Sequence, residues 1–318
     1  MTILAGDVGG TTTRLALFTD ASGAPASIER YMSEEHRGLG DMVARFLATH
    51  PAQVTAAAFG VAGPVVDGRT ETVNLAWPVD ETSLRERLGL DRVWLLNDLE
   101  ANAWGIPLLG PADLAVLQEG AEDPSGTIAV ISAGTGLGQA IVVRDRRGDR
   151  ILPTEGGHAD FAPASALQEE LLGFLRAELG HVSWERVCSG MGLVNIERFL
   201  RMRAGEPEPA WAADGDAAAI GRHALEDTDL VSTQALEMMV EIYGAQAGNL
   251  ALAAMATGGV YVGGGIAPKI LPQLRDGRFL HAFAAKGRFS ALLSRIPVRV
   301  ILDELTALRG AAHRAASP

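Results

Sequence analysis

Three groups of residues have types and spacing that could do chemistry. Asn97-Asp98 follows Val93-Trp94-Leu95-Leu96, a short bulky apolar run of the kind that forms a buried strand. A carboxylate at such a strand end can accept a hydroxyl proton as a phosphorus–oxygen bond develops. The amide beside it, both donor and acceptor, suits the adjacent hydroxyls of a polyol. The same dipeptide could equally be a helix N-cap in front of Leu99-Glu100-Ala101. Glu155-Gly156-Gly157-His158 joins a carboxylate to an imidazole, directional partners for vicinal hydroxyls. Two glycines oppose the helix that would turn this pair into metal ligands, and no further His or Cys cluster lies nearby. Glu185, in Trp184-Glu185-Arg186, reads by itself as a solvated helix residue.

Three glycine-rich stretches surround these groups. Gly6-Asp7-Val8-Gly9-Gly10-Thr11-Thr12-Thr13-Arg14 lies between the apolar runs Ile3 to Ala5 and Leu15 to Phe18. Its β-branched threonines favour a strand, so the stretch predicts a β-hairpin rather than a loop that hands its glycines to a helix. Tip amides of such a hairpin can face an anion, with Asp7 directed at a phosphate-bound cation. Ser132-Ala133-Gly134-Thr135-Gly136-Leu137-Gly138 repeats the pattern between Ile128 to Ile131 and Ala140 to Val143. The third stretch, Gly263-Gly264-Gly265, follows the strand-like Gly259-Val260-Tyr261-Val262 and precedes Ile266-Ala267-Pro268, which is expected to open a helix. Taken singly, each could be an ordinary turn; jointly they point to a nucleotide, the third through close approach to adenosine.

The elements that must position these residues alternate along the chain. Strands are expected over 26–32, over 55–62 with a hairpin partner at 70–75, and over 298–302. Leu39, Met42, Val43, Phe46 and Leu47 make the apolar stripe of a helix, as do Leu84 with Leu88, and Leu167, Leu171, Phe174 and Leu175. Residues 106–124 read as a crossing between two lobes, 205–216 as a polar loop, and 306–314 as a closing helix that packs back on the first lobe. From Thr233 to Ala256, positions Leu236, Met239, Val240, Tyr243, Ala247, Leu250, Ala251 and Ala254 keep helical spacing, predicting a central core helix.

At 318 residues the chain suits two α/β lobes rather than one core. A formal net charge of −12 argues against nucleic acid. An acidic chain that binds an anionic nucleotide must do so with loop amides and a divalent metal. Lys269 and Lys286 are the only lysines and neither lies in a glycine loop, so the Gly-Lys-Ser/Thr phosphate loop is absent. Cys188 is the only cysteine, which excludes an internal disulfide or a thiolate zinc site from this chain alone. No charge occurs between Glu241 and Lys269, but Gln246, Asn249 and several glycines interrupt that segment, predicting a buried helix and strand rather than a membrane span. With no apolar leader ahead of Asp7, a cytoplasmic protein is expected.

GDVGGTTTR, NDLEANAWGI, SAGTGLGQA, EGGHADFAP, ERVCSGMGLVNIERF, GGVYVGGGIAPKIL and KGRF occur in the order and spacing of the bacterial ATP-dependent glucokinases, which the chain resembles over nearly its whole length. That family lies within the hexokinase and actin-like ATPase superfold. The resemblance implies a two-lobed α/β protein of the ribonuclease H-like type, each lobe carrying a mixed five-stranded sheet flanked by helices, closing on sugar and nucleotide. It implies a small domain over 1–108 completed by a C-terminal helix at 304–318, a large domain over 109–303, and a homodimer. By the same resemblance Asp98 is the base for the sugar 6-hydroxyl, and Asn97, Glu155, His158 and Glu185 bind hydroxyls. Gly6, Asp7, Val8, Gly9, Gly10, Thr11 and Thr12, with Gly134, Thr135, Gly136 and Gly138, form the phosphate loops, and Gly263, Gly264 and Gly265 the adenosine segment. Glucose and ATP are the implied substrates, with Mg²⁺ on the phosphates, reached by Asp7 directly or through water.

Three positions depart from the family pattern. Thr12 stands where Asn is usual, Met191 replaces the Pro of SGPGL and is expected to loosen the turn beside Glu185, and Leu305-Thr306-Ala307 replaces a Pro-Gly pair. A sugar-sensing regulator on the same fold would need a DNA-binding segment, for which Met1 lies too near the first loop. An actin-like or chaperone ATPase would have no use for EGGH or Asn97-Asp98. Within sugar kinases, a broader hexokinase acting on mannose or fructose, or one using polyphosphate, remains the alternative.

Overall fold

Two apolar runs joined by a glycine tip open the chain as a hairpin, β1 (Ile3–Val8) pairing antiparallel with β2 (Thr12–Phe18). The computed structural model describes residues 1–21, 23–70, 77–146, 148–212 and 215–317. Contacts divide the chain into two compact units, Met1–Asp113 with Asp303–Pro318, and Leu114–Leu302.

In the first unit the hairpin is followed by β3 (Ser27–Met32), α1 (Leu39–Thr49), β4 (Ala56–Val61), the two-residue strands β5 (Arg69–Thr70) and β6 (Val79–Asp80), α2 (Glu81–Leu88), β7 (Val93–Asn97) and α3 (Asp98–Gly105). Its main sheet runs β3-β2-β1-β4-β7, with β1, β4 and β7 parallel. The two-residue period of the strands divides the core into two layers. Leu4, Val8, Phe59 and Leu95 face Met42, Val43 and Phe46 of α1 and Leu84 of α2. Ile3, Ala5, Phe18, Ala58 and Leu96 form the opposite layer with Ala101 of α3 and with the last helix of the chain. Gly89, at φ +63°, ends α2 in the left-handed conformation that glycine adopts without strain. Of the expected strand over 70–75, Thr70 belongs to β5 and the remaining positions lie outside the described residues.

The second unit contains β8 (Leu114–Gln118), β9 (Ile128–Ala133), β10 (Leu137–Val143), β11 (Arg150–Thr154), α4 (Ala166–Leu179), α5 (Gly190–Ala204), α6 (Ala217–Leu225), α7 (Leu230–Ala254), β12 (Gly259–Gly263), α8 (Leu271–Arg275), α9 (Arg278–Ala284), α10 (Ser290–Leu293) and β13 (Val298–Ile301). Its sheet is β11-β10-β9-β12-β13-β8, six strands where the resemblance implied five. The extra edge strand β8, antiparallel to β13, lies in the stretch read as a crossing; Leu114, Val116, Leu117 and Gln118 are only partly buried or exposed, as an edge permits. The core gathers round α7, whose predicted stripe of Leu236, Met239, Val240, Tyr243, Ala247, Leu250 and Ala251 is buried as expected, while Ala254, its last member, is half-buried. Among the described residues no helix is long and apolar enough to cross a membrane. Residues 266–268 form turns rather than opening a helix, which begins only at Leu271 with Pro272 in its first turn.

The chain ends in α11 (Thr306–Ala316), which returns to the first unit. A Cβ at Gly310 would run into the carbonyl oxygen of Ala101 and the amide of Gly105, so α11 approaches α3 backbone to backbone. His313 Nδ1 lies 3.0 Å from the Trp104 carbonyl, and Arg92 donates to the carbonyls of Ala315 and Ser317.

Candidate active site

In the first unit the carboxyl ends of β1, β4 and β7 lie in register, Val8 opposite Val61 and Val61 opposite Asn97. Ligands of open α/β sheets gather at such an edge. The loops leaving it are tied together: Ala62 N donates to Val8 O at 3.0 Å, and Asn97 Nδ2 to Gly63 O at 3.0 Å. The two alternatives for Asn97-Asp98 separate here. Asn97 is the N-cap of α3, its Oδ1 accepting from Leu99 N at 2.8 Å and from Glu100 N at 3.3 Å. Asp98 is the first helical residue, half-buried at the same edge, with its Oδ1 2.9 Å from Leu99 N. The buried amide thus receives two of the first amides of α3, and the Asp98 carboxylate lies beside it at the same strand edge. Two residues further, burial raises the Glu100 carboxyl.

The hairpin tip is closed by Gly9 N donating to Thr12 O at 3.0 Å, with Gly10 and Thr11 between. Asp7 and Arg14 are opposite one another in the ladder, and the guanidinium grips Asp7 Oδ2 through Nε at 3.1 Å and Nη2 at 2.6 Å. Arg14 was legible as part of the motif, but its pairing with Asp7 follows only from the hairpin register. Thr12, the departure from Asn, contributes its carbonyl to the tip.

In the second unit the proposed sugar residues meet at Leu137, the first residue of β10. Its N–H donates to Glu185 Oε2 at 3.0 Å, and its carbonyl lies where a Cβ on Gly157 would fall, so only glycine fits at 157. Gly136 packs against the Glu185 carboxylate, whose Oε2 a Cβ there would also meet. Glu155 and His158, both exposed, stand at the two ends of a single 3-10 turn, closed by His158 N donating to Glu155 O at 2.9 Å. The Glu155–His158 and Trp184–Arg186 turns are joined through Trp184 N to Ala159 O at 3.1 Å and Phe161 N to Val182 O at 2.9 Å. Trp184 is pinned edge-on against Phe161. Glu185 is thus no freely solvated helix residue: it sits in a 3-10 turn, half-buried against a glycine loop. Met191 does not open the neighbouring turn, because Ser189 caps α5 by accepting from Gly192 N at 3.0 Å while donating to Glu185 O at 2.7 Å.

The remaining glycine groups gather at the ends of the adjacent parallel strands β9 and β12, where Ser132 is paired with Gly263. Gly134 N donates to Gly136 O at 2.8 Å, and Gly134 O accepts from Gly190 N at 2.8 Å, which fixes the second loop, including Thr135, against the start of α5. Gly264, at φ +84°, fits directly on Ala133, whose carbonyl accepts from Ile266 N at 3.3 Å. Gln139, whose buried side-chain oxygen underlies Gly156, was not legible beforehand, since one polar position in a strand carries no signal of its neighbours.

Among the described residues no group of three or more His, Cys, Asp or Glu is placed to hold a metal ion. Asp7 is a single carboxylate already bound to Arg14, a donor set that fits a magnesium ion arriving on phosphates and retaining waters rather than a resident ion in a protein cage. Cys188 is fully buried and burial pushes its thiol up, so it has no part in this chemistry.

Residues 4–318 match the family model described as Glucokinase. The chain is 42% identical to the glucokinase of Synechocystis sp., with 98% of this chain and 97% of that protein aligned. Among solved structures, a glucokinase from an Antarctic psychrotroph superposes with a TM-score of 0.87 at 31% identity, covering 99% of this chain and 98% of that one. A ROK family glucokinase from Streptomyces griseus, solved with glucose and AMPPNP, shares the fold at a TM-score of 0.69 and 23% identity, covering 99% of each chain. Matched by that family model over nearly its whole length and by a relative at 42% identity, the chain belongs to the glucokinase family.

Proposed function

We propose that this glucokinase-family enzyme transfers the γ-phosphoryl group of ATP to the 6-hydroxyl of glucose, with Asp98 as general base. The observation that carries the reading is the division of labour at the end of β7, where Asn97 caps α3 and Asp98 remains at the sheet's carboxyl edge. Asp98 accepts the hydroxyl proton and aligns the oxygen for attack. Asn97, Glu155, His158 and Glu185 hydrogen-bond the other hydroxyls, carboxylate and imidazole serving as directional partners. Glycine-loop amides at Gly9 to Thr12 and at Gly134 to Gly138 offset charge on the transferring group, and Gly263 to Gly265 lie against the nucleoside. Mg²⁺ would supply charge neutralisation on the phosphates, and Asp7, oriented by Arg14, would hold it directly or through water. ATP as donor is supported by the AMPPNP held by the Streptomyces griseus relative. A homodimer, which the family resemblance implies, and a cytoplasmic location are part of the same proposal.

A coupled ADP-release assay across glucose, mannose and fructose, with ATP or polyphosphate and with or without Mg²⁺, tests the reading. Glucose with ATP and Mg²⁺ is expected to give the highest kcat/KM. Equal turnover of the three hexoses, or preference for polyphosphate, would replace it with the broader kinase.

A further inference from the structure

The buried face of α7 carries one hydroxyl that packing alone does not require. Tyr243 is fully buried, its ring held edge-on by Phe279 of α9. Its hydroxyl accepts from Ala133 N at 3.1 Å and lies 3.3 Å from both Ile131 O and Gly263 O. A phenol has one proton and two acceptor lone pairs, so the proton is shared between the two carbonyls while the amide is received. These three backbone groups belong to the last residues of two adjacent strands. Ala133 is followed at once by Gly134, and Gly263 by Gly264.

We propose that Tyr243 is a positioning residue for the nucleotide, its hydroxyl clamping together the strand ends from which the glycine loops 134–138 and 263–265 spring. This deepens the proposed function and rests on the reading of those loops as the nucleotide site.

Two further features converge on the same point. Ala133 O receives Ile266 N, and Gly264 occupies space that a side chain would take from Ala133, so the third loop is seated on the end of β9 as well as on β12. Loops made of glycine carry little side-chain packing of their own and inherit their placement from the strand ends. A hydroxyl that ties Ile131, Ala133 and Gly263 sets the separation of the loops without touching the ligand. Burial raises the phenol well above its ordinary range, so it stays protonated and the clamp does not titrate near neutrality.

Replacing Tyr243 by Phe keeps the ring and its contact with Phe279 and removes only the hydroxyl. With wild-type activity measured in parallel, Tyr243→Phe is expected to raise the KM for ATP about tenfold, the scale of one lost buried hydrogen bond, while the KM for glucose stays within about twofold. Phe279→Leu, which loosens the ring's packing but spares the hydroxyl, is expected to lower Tm with no change in the KM for ATP. Unchanged ATP kinetics in a Tyr243→Phe protein that merely melts earlier would overturn the proposal, as would an equal rise in both KM values. Should Tyr243→Phe not fold, hydrogen exchange on the wild-type chain decides. Addition of AMPPNP is expected to protect segments 131–137 and 263–267 together, and independent responses would overturn the clamp. Absence of ATP-dependent glucose phosphorylation by the wild-type chain would instead reject the proposed function, with the exchange experiment still reporting on Tyr243.

Discussion

The main-chain N–H of Leu137 donates to the carboxylate of Glu185 at 3.0 Å. The carboxylate proposed to hold a sugar hydroxyl is therefore also a strut of the second glycine loop. Neither can shift without the other, because Gly136 leaves the carboxylate no slack and Ser189 holds the Glu185 carbonyl from behind.

Whether a change at Glu185 reaches the kinetics of one substrate or both should consequently depend on whether the strut survives. Glu185→Gln keeps an oxygen that can accept from Leu137 and loses only the charge, so the KM for glucose is expected to rise about tenfold with the KM for ATP little changed. Glu185→Ala removes the strut as well, and both constants should rise. Two-substrate steady-state kinetics separate the variants; a normal KM for ATP in Glu185→Ala would show that the loop does not lean on this side chain.

Asp98→Asn should fold, since Asn97 remains to cap α3, and should bind glucose while losing roughly two to four orders of magnitude in kcat. Asn97→Ala should instead cost about 1 kcal/mol of stability through the lost cap. Isothermal titration with glucose and chemical denaturation report the two effects separately. Near-normal turnover in Asp98→Asn would remove this residue from the role of base.

The backbone contact between α3 and α11 leaves no room at Gly310. Gly310→Ala should lower stability by about 1–3 kcal/mol, the usual cost of overpacking, as α11 is levered off Ala101. Urea denaturation measures the loss. Native KM values in the protein that remains folded would confirm that the damage is confined to packing.

Cys188 should ignore Ellman's reagent at pH 8 in the native protein and release one equivalent of thiolate colour once denatured. A fast native reaction would mean that the segment between Glu185 and α5 opens readily.

The strands and most helices could be read from the chain because their signals are local. The apolar stripe of α1, the glycine after α2 and the long run of α7 each point to one structure at close range. β8 was hidden because an edge strand buries only part of itself, and Ala115 alone among its five residues is buried. In the site, Asn97 and Asp98 were visible as a pair, but only the three-dimensional cap distinguishes the acceptor of amides from the residue left at the edge. Glu185 had no local signal: its importance lies in Leu137, 48 positions away. Tyr243 read correctly as core, yet the pattern that buries its ring says nothing about where its hydroxyl ends up.

The return of α11 to the first unit bears on how the protein is made. Leu308, Ala311, Ala312 and Ala315 complete the layer that covers Ile3, Ala5 and Ala58, so that face is covered only in part, by α3, until α11 has emerged from the ribosome. At about 5–20 residues per second, translating the intervening unit takes on the order of 10–40 s, during which the earliest strands are a target for chaperones while the later-made unit can already fold.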